Sequence, residues 1–179
     1  YNMTDYKTIF GRNIRLQTSD LTMSTATEGE LFYSDTDKEF KVGVNVLAWS
    51  AGNNMNTARA SAHGTATGPA TAAMAISGGT PQLEEVEEYD GTSWTEVNNV
   101  NTGRHRLAGL GTQTAALATG GQNPDVTAIN ESWNGTSWTE VGDLNTARER
   151  AAGVGTTTAA LVFGGLTPGV TAINESWNG

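Results

Sequence analysis

The chain has no cysteine, only four prolines and two histidines, and just 10 Lys and Arg residues against 19 Asp and Glu in a length of 179. Without cysteine there is no disulfide framework, no thiolate metal site and no cysteine nucleophile. A formal net charge of -9 excludes the dense Lys/Arg surface on which phosphate-backbone binding depends, and it disfavours docking on an anionic membrane. No apolar stretch approaches the ~18 residues of a spanning helix, and the start is not the cationic, apolar one of a secretion signal. The first residue is Tyr1 rather than an initiator Met, which points to a processed product or a fragment. What is abundant is Gly, at 22 residues, with much Thr and Ala. Small residues of this kind suit tight turns and close sheet packing, so the expected class is all-β.

Internal repetition organises most of the chain. GTSWTEV stands at 91–97 and again at 135–141, and VTAINESWNG stands at 126–135 and again at 170–179, both at a shift of 44 residues. TAAL, the pairs Gly120-Gly121 and Gly164-Gly165, and Arg104 and Arg148 keep the same offset. A diverged earlier copy precedes them, with Ala48-Trp49 matching Ser93-Trp94, Asn56-Thr57-Ala58-Arg59 matching Asn101-Thr102-Gly103-Arg104, then Gly78-Gly79 and Tyr89-Asp90-Gly91. It carries three extra residues around Gly64–Pro69. The division is 1–45 as an N-terminal segment and 46–179 as repeats, at about 46–90, 91–134 and 135–179.

Helical arrays have repeats of similar length, but these units are thick with Gly, Thr and Val. Each unit reads as four short strands: Leu107–Gly111, Ala115–Thr119 running into Gly120-Gly121, Val126–Trp133, and Ser137–Val141. Asn-Gly or Asp-Gly, among the strongest hairpin signals, recurs at 90–91, 134–135 and 178–179. Four antiparallel strands in such a length describe a propeller blade, and a blade needs neighbours to complete its core.

A Gly pair closing one strand, an aromatic about ten residues on and a Trp about five beyond it resembles the Kelch repeat. Gly78-Gly79/Tyr89/Trp94 and Gly120-Gly121/Trp133/Trp138 carry the resemblance, and Gly164-Gly165/Trp177 begins a third instance. The resemblance covers some three quarters of the chain. It implies an incomplete Kelch-type β-propeller of about three four-stranded blades, preceded by a small β-hairpin segment. Three blades do not close a ring, and the chain stops at Asn178-Gly179 where earlier copies continue into Thr-Ser-Trp. The expectation is therefore more blades in the natural protein, or else several chains completing one ring.

Residues 11–45 differ in character. Ile14-Arg15-Leu16 alternates, Ser19–Ser24 is polar and turn-like, and Leu31–Tyr33 and Phe40–Val42 read as a hairpin across the acidic turn Ser34–Asp37. The piece G-E-L-F-Y-x-D-x-D-x-x-F-K-V resembles a short module of tail-fibre and other virion proteins of tailed bacteriophages. The low-charge phrasing of the repeats is similar to arrays in phage structural proteins.

The residues singled out by recurrence have structural and functional readings. Arg59, Arg104 and Arg148 recur once per copy, as do Glu87, Glu131 and Glu175, each two residues before the aromatic. They read either as a charged ring around a channel or as an internal Arg–Glu pair that fixes a turn, and the second is favoured. Gly79, Gly121 and Gly165 permit tight backbone packing; no Lys-Ser/Thr and no helix start follows them, so they are not phosphate loops. Trp94 and Trp138, with Trp133 and Trp177, read as packing between blades, with sugar stacking the alternative. His63 and His105 lack neighbours at metal-ligand spacing, and His105 lies between Arg104 and Arg106. Asn130-Glu-Ser132 and Asn174-Glu-Ser176 read as chance glycosylation matches, and Glu84-Glu85-Val86-Glu87-Glu88 as a solvated edge rather than a cation site. Copper oxidases of the Kelch family that use a Cys–Tyr cross-link are excluded by the missing cysteine.

Together these readings predict no catalytic, cofactor-binding or metal-binding residue and no cofactor. The resemblances imply a non-enzymatic tail fibre or similar virion appendage, with 1–45 attached to other virion structural proteins and the Kelch-like array projecting outward. A homotrimer is the expected assembly, with host surface glycans as the ligand to test. The loops Thr80–Val86, Gln122–Asp125 and Leu166–Gly169, which differ between matching copies, are the places for it. The rival reading is a bacterial extracellular or cell-surface Kelch domain that binds carbohydrate or protein.

Overall fold

A computed structural model of the chain describes residues 49, 51–65, 68–79 and 81–179, together with the backbone of four strands at 6–9, 12–16, 31–34 and 39–42. The chain divides into two compact units, Tyr1–Ala51 and Gly52–Gly179. Every regular element among the described residues is a strand.

In the first unit, β1 (Tyr6–Ile9), β2 (Arg12–Leu16), β3 (Leu31–Ser34) and β4 (Glu39–Val42) form one sheet in sequence order. β2 and β3 run parallel, while β3 and β4 are antiparallel with Leu31 opposite Val42 and Ser34 opposite Glu39. These are the strands of the expected hairpin. Its turn residues Asp35–Asp37 and the stretch Ser19–Ser24 lie outside the described residues, as do Ala48 and Thr80.

The second unit holds three antiparallel meanders. The first comprises β5 (His63–Gly64), β6 (Ala73–Gly78), β7 (Leu83–Tyr89) and β8 (Trp94–Val97). The second comprises β9 (Ala108–Thr112), β10 (Ala115–Thr119), β11 (Asn130–Trp133) and β12 (Trp138–Glu140). The third pairs β13 (Ala152–Thr156), β14 (Ala159–Phe163) and β17 (Asn174–Trp177), and the small hairpin β15 (Leu166–Thr167) and β16 (Gly169–Val170) stands apart from it. The first two match the predicted four-strand order, whereas the third holds three strands and not the four expected. In the middle sheet the third strand is shorter than expected, since only 130–133 form the strand, residues 127–129 are a connection and Val126 makes an isolated bridge to Gln122.

Local chemistry explains the turns. Asp90 Oδ1 accepts from the amides of Thr92 (2.8 Å) and Ser93 (2.7 Å), and Asn134 Oδ1 accepts from Thr136 (2.9 Å) and Ser137 (2.9 Å). These side chains mimic a backbone turn, and Gly91 and Gly135 take the positive φ that follows, 95° and 90°. The amide bonds from Ser93 and Thr92 hold the Asp90 carboxyl below its usual pKa. Each turn sets an aromatic pair across its strands: Tyr89 against Trp94 with ring centroids 5.0 Å apart, and Trp133 against Trp138 at 5.3 Å.

In the middle sheet β9, β10 and β11 are largely buried on both faces, while Thr139 and Glu140 of β12 are exposed. Met74, Ile76 and Val86 of the first sheet pack with Val100, Leu107, Ala116, Ala118, Trp133 and Trp138, while Leu110 and Leu117 pack with Ala151, Ala160, Val162 and Trp177 of the third copy. The leading strands approach closely, since a Cβ at Gly109 on β9 would stand 2.7 Å from the Gly64 carbonyl oxygen on β5. Burying each of Leu110 and Leu117 completely stabilises by about 1.5–3 kcal/mol.

Candidate functional site

Each sheet is entered through a loop of the form Asn-Thr-x-Arg, at 56–59, 101–104 and 145–148. In the middle copy the Glu131 carboxylate, on the third strand, accepts from the amides of Asn101 (2.7 Å) and Thr102 (3.3 Å) and from Arg104 Nη1 (2.5 Å). Arg104 also donates to the carbonyls of Gly120 (2.9 Å), Ala118 (2.7 Å) and Thr102 (2.8 Å). In the first copy Glu87 accepts from Asn56, Thr57 and Arg59. In the third, Glu175 accepts from Asn145, Thr146 and Arg148. All three arginine side chains are fully buried.

Such a pair survives burial only because every charge-bearing atom has a partner. Glu87 shows the balance. Burial, the largest influence on it, pushes its pKa up, yet the Asn56 and Thr57 amides and the Arg59 guanidinium outweigh that and hold it below the ordinary glutamate value. The asparagines add a second clasp, since Asn56 and Asn101 donate through Nδ2 to the carbonyls of Trp94 (2.8 Å) and Trp138 (3.2 Å) on the fourth strands.

The same loops join consecutive sheets. The Arg104 carbonyl accepts from the Gly78 amide (3.1 Å), and the Arg148 carbonyl from the Gly121 amide (2.8 Å). This pattern corrects the pairing of Gly79 with Gly121 and Gly165. Gly79 donates to the Ala60 carbonyl as Gln122 donates to the His105 carbonyl, so Ser77-Gly78 occupies the place of Gly120-Gly121. The φ angles agree: 54° at Ser77 against 64° at Gly120, and 106° at Gly78 against 109° at Gly121. A Cβ at Gly120 would meet the Arg148 carbonyl oxygen at 2.6 Å. Ser77 turns the same proximity into a hydrogen bond from its Oγ to the Arg104 carbonyl.

The remaining candidates separate clearly. Trp133 and Trp138 are buried, and their indole N–H groups donate to the carbonyls of Gln113 (2.9 Å) and Asn98 (3.2 Å). Trp94 is half-buried in its pair with Tyr89. Asn130 is buried and bonded to Thr119 and Gly142, a setting that admits no glycan. In the acidic run, Glu87 belongs to the buried pair, and burial raises the pKa of Glu88. His63 is half-buried, and burial lowers its pKa. His105 is buried with no partner at Nδ1. Among the described residues no group of acidic or His side chains could hold a metal ion.

Recurrence did not signal the contact between Arg106 and Glu149. Arg106 Nη1 donates to Glu149 Oε2 (2.9 Å) across the junction of the second and third sheets, and to Gln122 Oε1 (2.8 Å). Ser61, Arg106 and Arg150, two residues beyond each buried arginine, all take a left-handed backbone at φ 54°, 59° and 56°. Of the variable loops, Leu166–Gly169 forms most of the β15–β16 hairpin, and Asn123 in Gln122–Asp125 donates to the Gly103 carbonyl. The cavity between the second and third sheets, lined by Leu117, Thr119, Asn130, Glu175 and Trp177, has a volume of about 60 Å³. That is far below the ~300 Å³ of small-molecule sites. The repeated polar residues thus hold the sheets together.

No protein-family model matches the chain, and no curated protein matches it. Among solved structures it is similar to one described as the structure of YjhT, with a TM-score of 0.56 and 19% identity over 82% of this chain and 47% of that one. The chain thus spans about half the length of that protein, and the likeness is one of fold alone.

Proposed function

We propose that this chain is a non-enzymatic structural protein of a tailed-phage particle, a tail fibre or similar appendage. In this reading residues 1–45 attach to other virion proteins, and residues 46–179 are blades of a Kelch-type β-propeller that projects outward as part of a homotrimer. The stacking of sheet on sheet through their leading strands supports the propeller, because blades arranged around an axis meet there most closely. The observation that carries the functional reading is a division of labour inside each copy. Arg59, Arg104, Arg148 and their glutamates are consumed in buried pairs, whereas the copies diverge at Gln122–Asp125 and Leu166–Gly169. A constant frame with variable rims suits a surface that meets changing partners, for which host surface glycans are the class to test.

Mass spectrometry of purified virions tests this reading, with the chain expected at structural-protein abundance. Its recovery only from cell envelopes would overturn the phage assignment and favour an extracellular Kelch domain. A glycan array then reads the ligand, and binding should follow loop exchange between copies.

A further inference from the structure

We propose that Asn134 is a modification site, at which the folded chain converts its own side-chain amide to a carboxylate with water as the only co-reactant. The turn around it directs the product to aspartate rather than isoaspartate. The comparison of copies points there. Asn134-Gly135-Thr136-Ser137 in the second sheet stands where Asp90-Gly91-Thr92-Ser93 stands in the first. Asn134 N donates to the Ser137 carbonyl (3.3 Å) as Asp90 N donates to that of Ser93 (3.2 Å), and the glycines take φ of 90° and 95°. Each turn is also held from outside, by Asn98 Nδ2 on the Thr136 carbonyl (2.7 Å) and by Asn53 Nδ2 on the Thr92 carbonyl (2.6 Å). The first turn therefore displays the second as it stands once oxygen has replaced Nδ2.

Asn134 is exposed, and among the described residues neither its Nδ2 nor the Gly135 amide nitrogen has a hydrogen-bond partner. Its Oδ1 accepts from the amides of Thr136 and Ser137, both at 2.9 Å, the distance at which donors stabilise a developing oxyanion. The Gly135 nitrogen, with no neighbouring side chain to shield it, attacks Cγ within the same chain and gives up its proton to solvent. The Cγ–Nδ2 bond then breaks, ammonia leaves and a five-membered imide closes. Water adds to Cγ, the bond from Cγ to the Gly135 nitrogen breaks, and that nitrogen regains a proton. Both donors polarise Cγ through Oδ1, so the ring opens there and not at the main-chain carbonyl, which restores the ordinary peptide bond.

The product has a place waiting. Asp90 Oδ1 keeps the two amide bonds, and its Oδ2 accepts from Ser93 Oγ (3.1 Å), a bond open to Ser137 Oγ once an oxygen replaces Nδ2. Isoaspartate would instead add a methylene to a main chain whose ends are fixed by Trp133 opposite Trp138. Asp90 itself goes no further, because the Ser93 and Thr92 amides favour its ionised form and a carboxylate offers no leaving group. Asn130 is the internal contrast, buried and with its Nδ2 on the Gly142 carbonyl (3.1 Å).

The full chain is incubated in mildly alkaline buffer, native and, in parallel, unfolded in urea. Tandem mass spectrometry places each converted residue and separates Asn134 from Asn178, which also precedes a glycine. An isoaspartyl methyltransferase reads the share of isoaspartate. Conversion at Asn134 in the native chain should run at no less than about one third of its rate in urea, with an aspartyl share at least about twofold higher, because the donors to Oδ1 are already in place. Asn130 should stay intact in the native chain. An Asn134 that stays intact there overturns the inference, whether or not it converts in urea, because the turn then holds Cγ away from the nitrogen. An isoaspartyl share as high in the native chain as in urea overturns the account of the product. Asn134→Asp is the independent check. It should run with the converted species on ion exchange and unfold at the same urea concentration as the unmodified chain. A clearly lower midpoint would show that the turn rejects the carboxylate, and the inference fails with it.

Discussion

The second and third sheets are nearly the same sequence in two environments. TAAL and NESW occur in both, yet Leu117 is 1% exposed and Leu161 38%. Glu131 lies beneath a covering sheet, while the side chain of Glu175 is 11% exposed. Local pattern and register are alike, since Ala116 opposes Trp133 as Ala160 opposes Trp177. The difference comes from the neighbour, present on both sides of one sheet and on one side of the other. Burial in a repeat array is therefore a property of the junction.

The largest effect that would test this contrast is at the carboxylates. Glu131→Gln leaves the Arg104 charge buried without a counter-ion and should cost about 3–5 kcal/mol, measured by urea unfolding. Glu175→Gln should cost less, because water reaches that carboxylate. Equal losses would break the comparison. Next comes the leucine pair. Leu117→Ala should destabilise by about 2–5 kcal/mol through lost burial and an unfilled cavity, and Leu161→Ala by less than about 1 kcal/mol.

A pH series sharpens the same point. The folded-state pKa of Glu87 is held below the ordinary value of 4.5, so its contribution is present above that value and is lost as pH falls through the folded pKa. Urea midpoints should fall on acidification, and less steeply in Glu87→Gln, which is weaker at neutral pH. Glu88 carries the opposite sign, since burial raises its pKa. Its contribution is present below the unfolded value and lost as pH rises through the folded one, so Glu88→Gln should gain slightly at neutral pH. The smallest expected effect is at the junction ion pair. Arg106 is 32% exposed in its side chain, and Arg106→Ala should cost no more than about 1 kcal/mol, less at high salt.

Much of this was legible beforehand. A shift of 44 residues, with Asn-Gly or Asp-Gly recurring once per copy, was enough to place the meanders, because turn chemistry and period-two burial act over a few residues. The recurrence of Arg104 with Glu131 pointed to an internal pair, since two opposite charges repeated at fixed spacing stay together only if each needs the other. Spelling misled at Gly78-Gly79, where Ser77 holds a left-handed place that glycine holds in the next copy. A hydroxyl bonded to the Arg104 carbonyl made that exchange possible, and no pattern of letters reveals a hydrogen bond between sheets.

Sequence alone determined the repeat, the all-β class, the strand order within each copy and the exclusion of cysteine chemistry. All of these rest on short-range propensity or on composition. Only the tertiary structure decided that Arg106 reaches Glu149 in the following copy and that Leu117 is covered where Leu161 is open. Those facts depend on which surfaces lie within a few ångströms after folding, and residues a full repeat apart become neighbours only when one sheet rests on another.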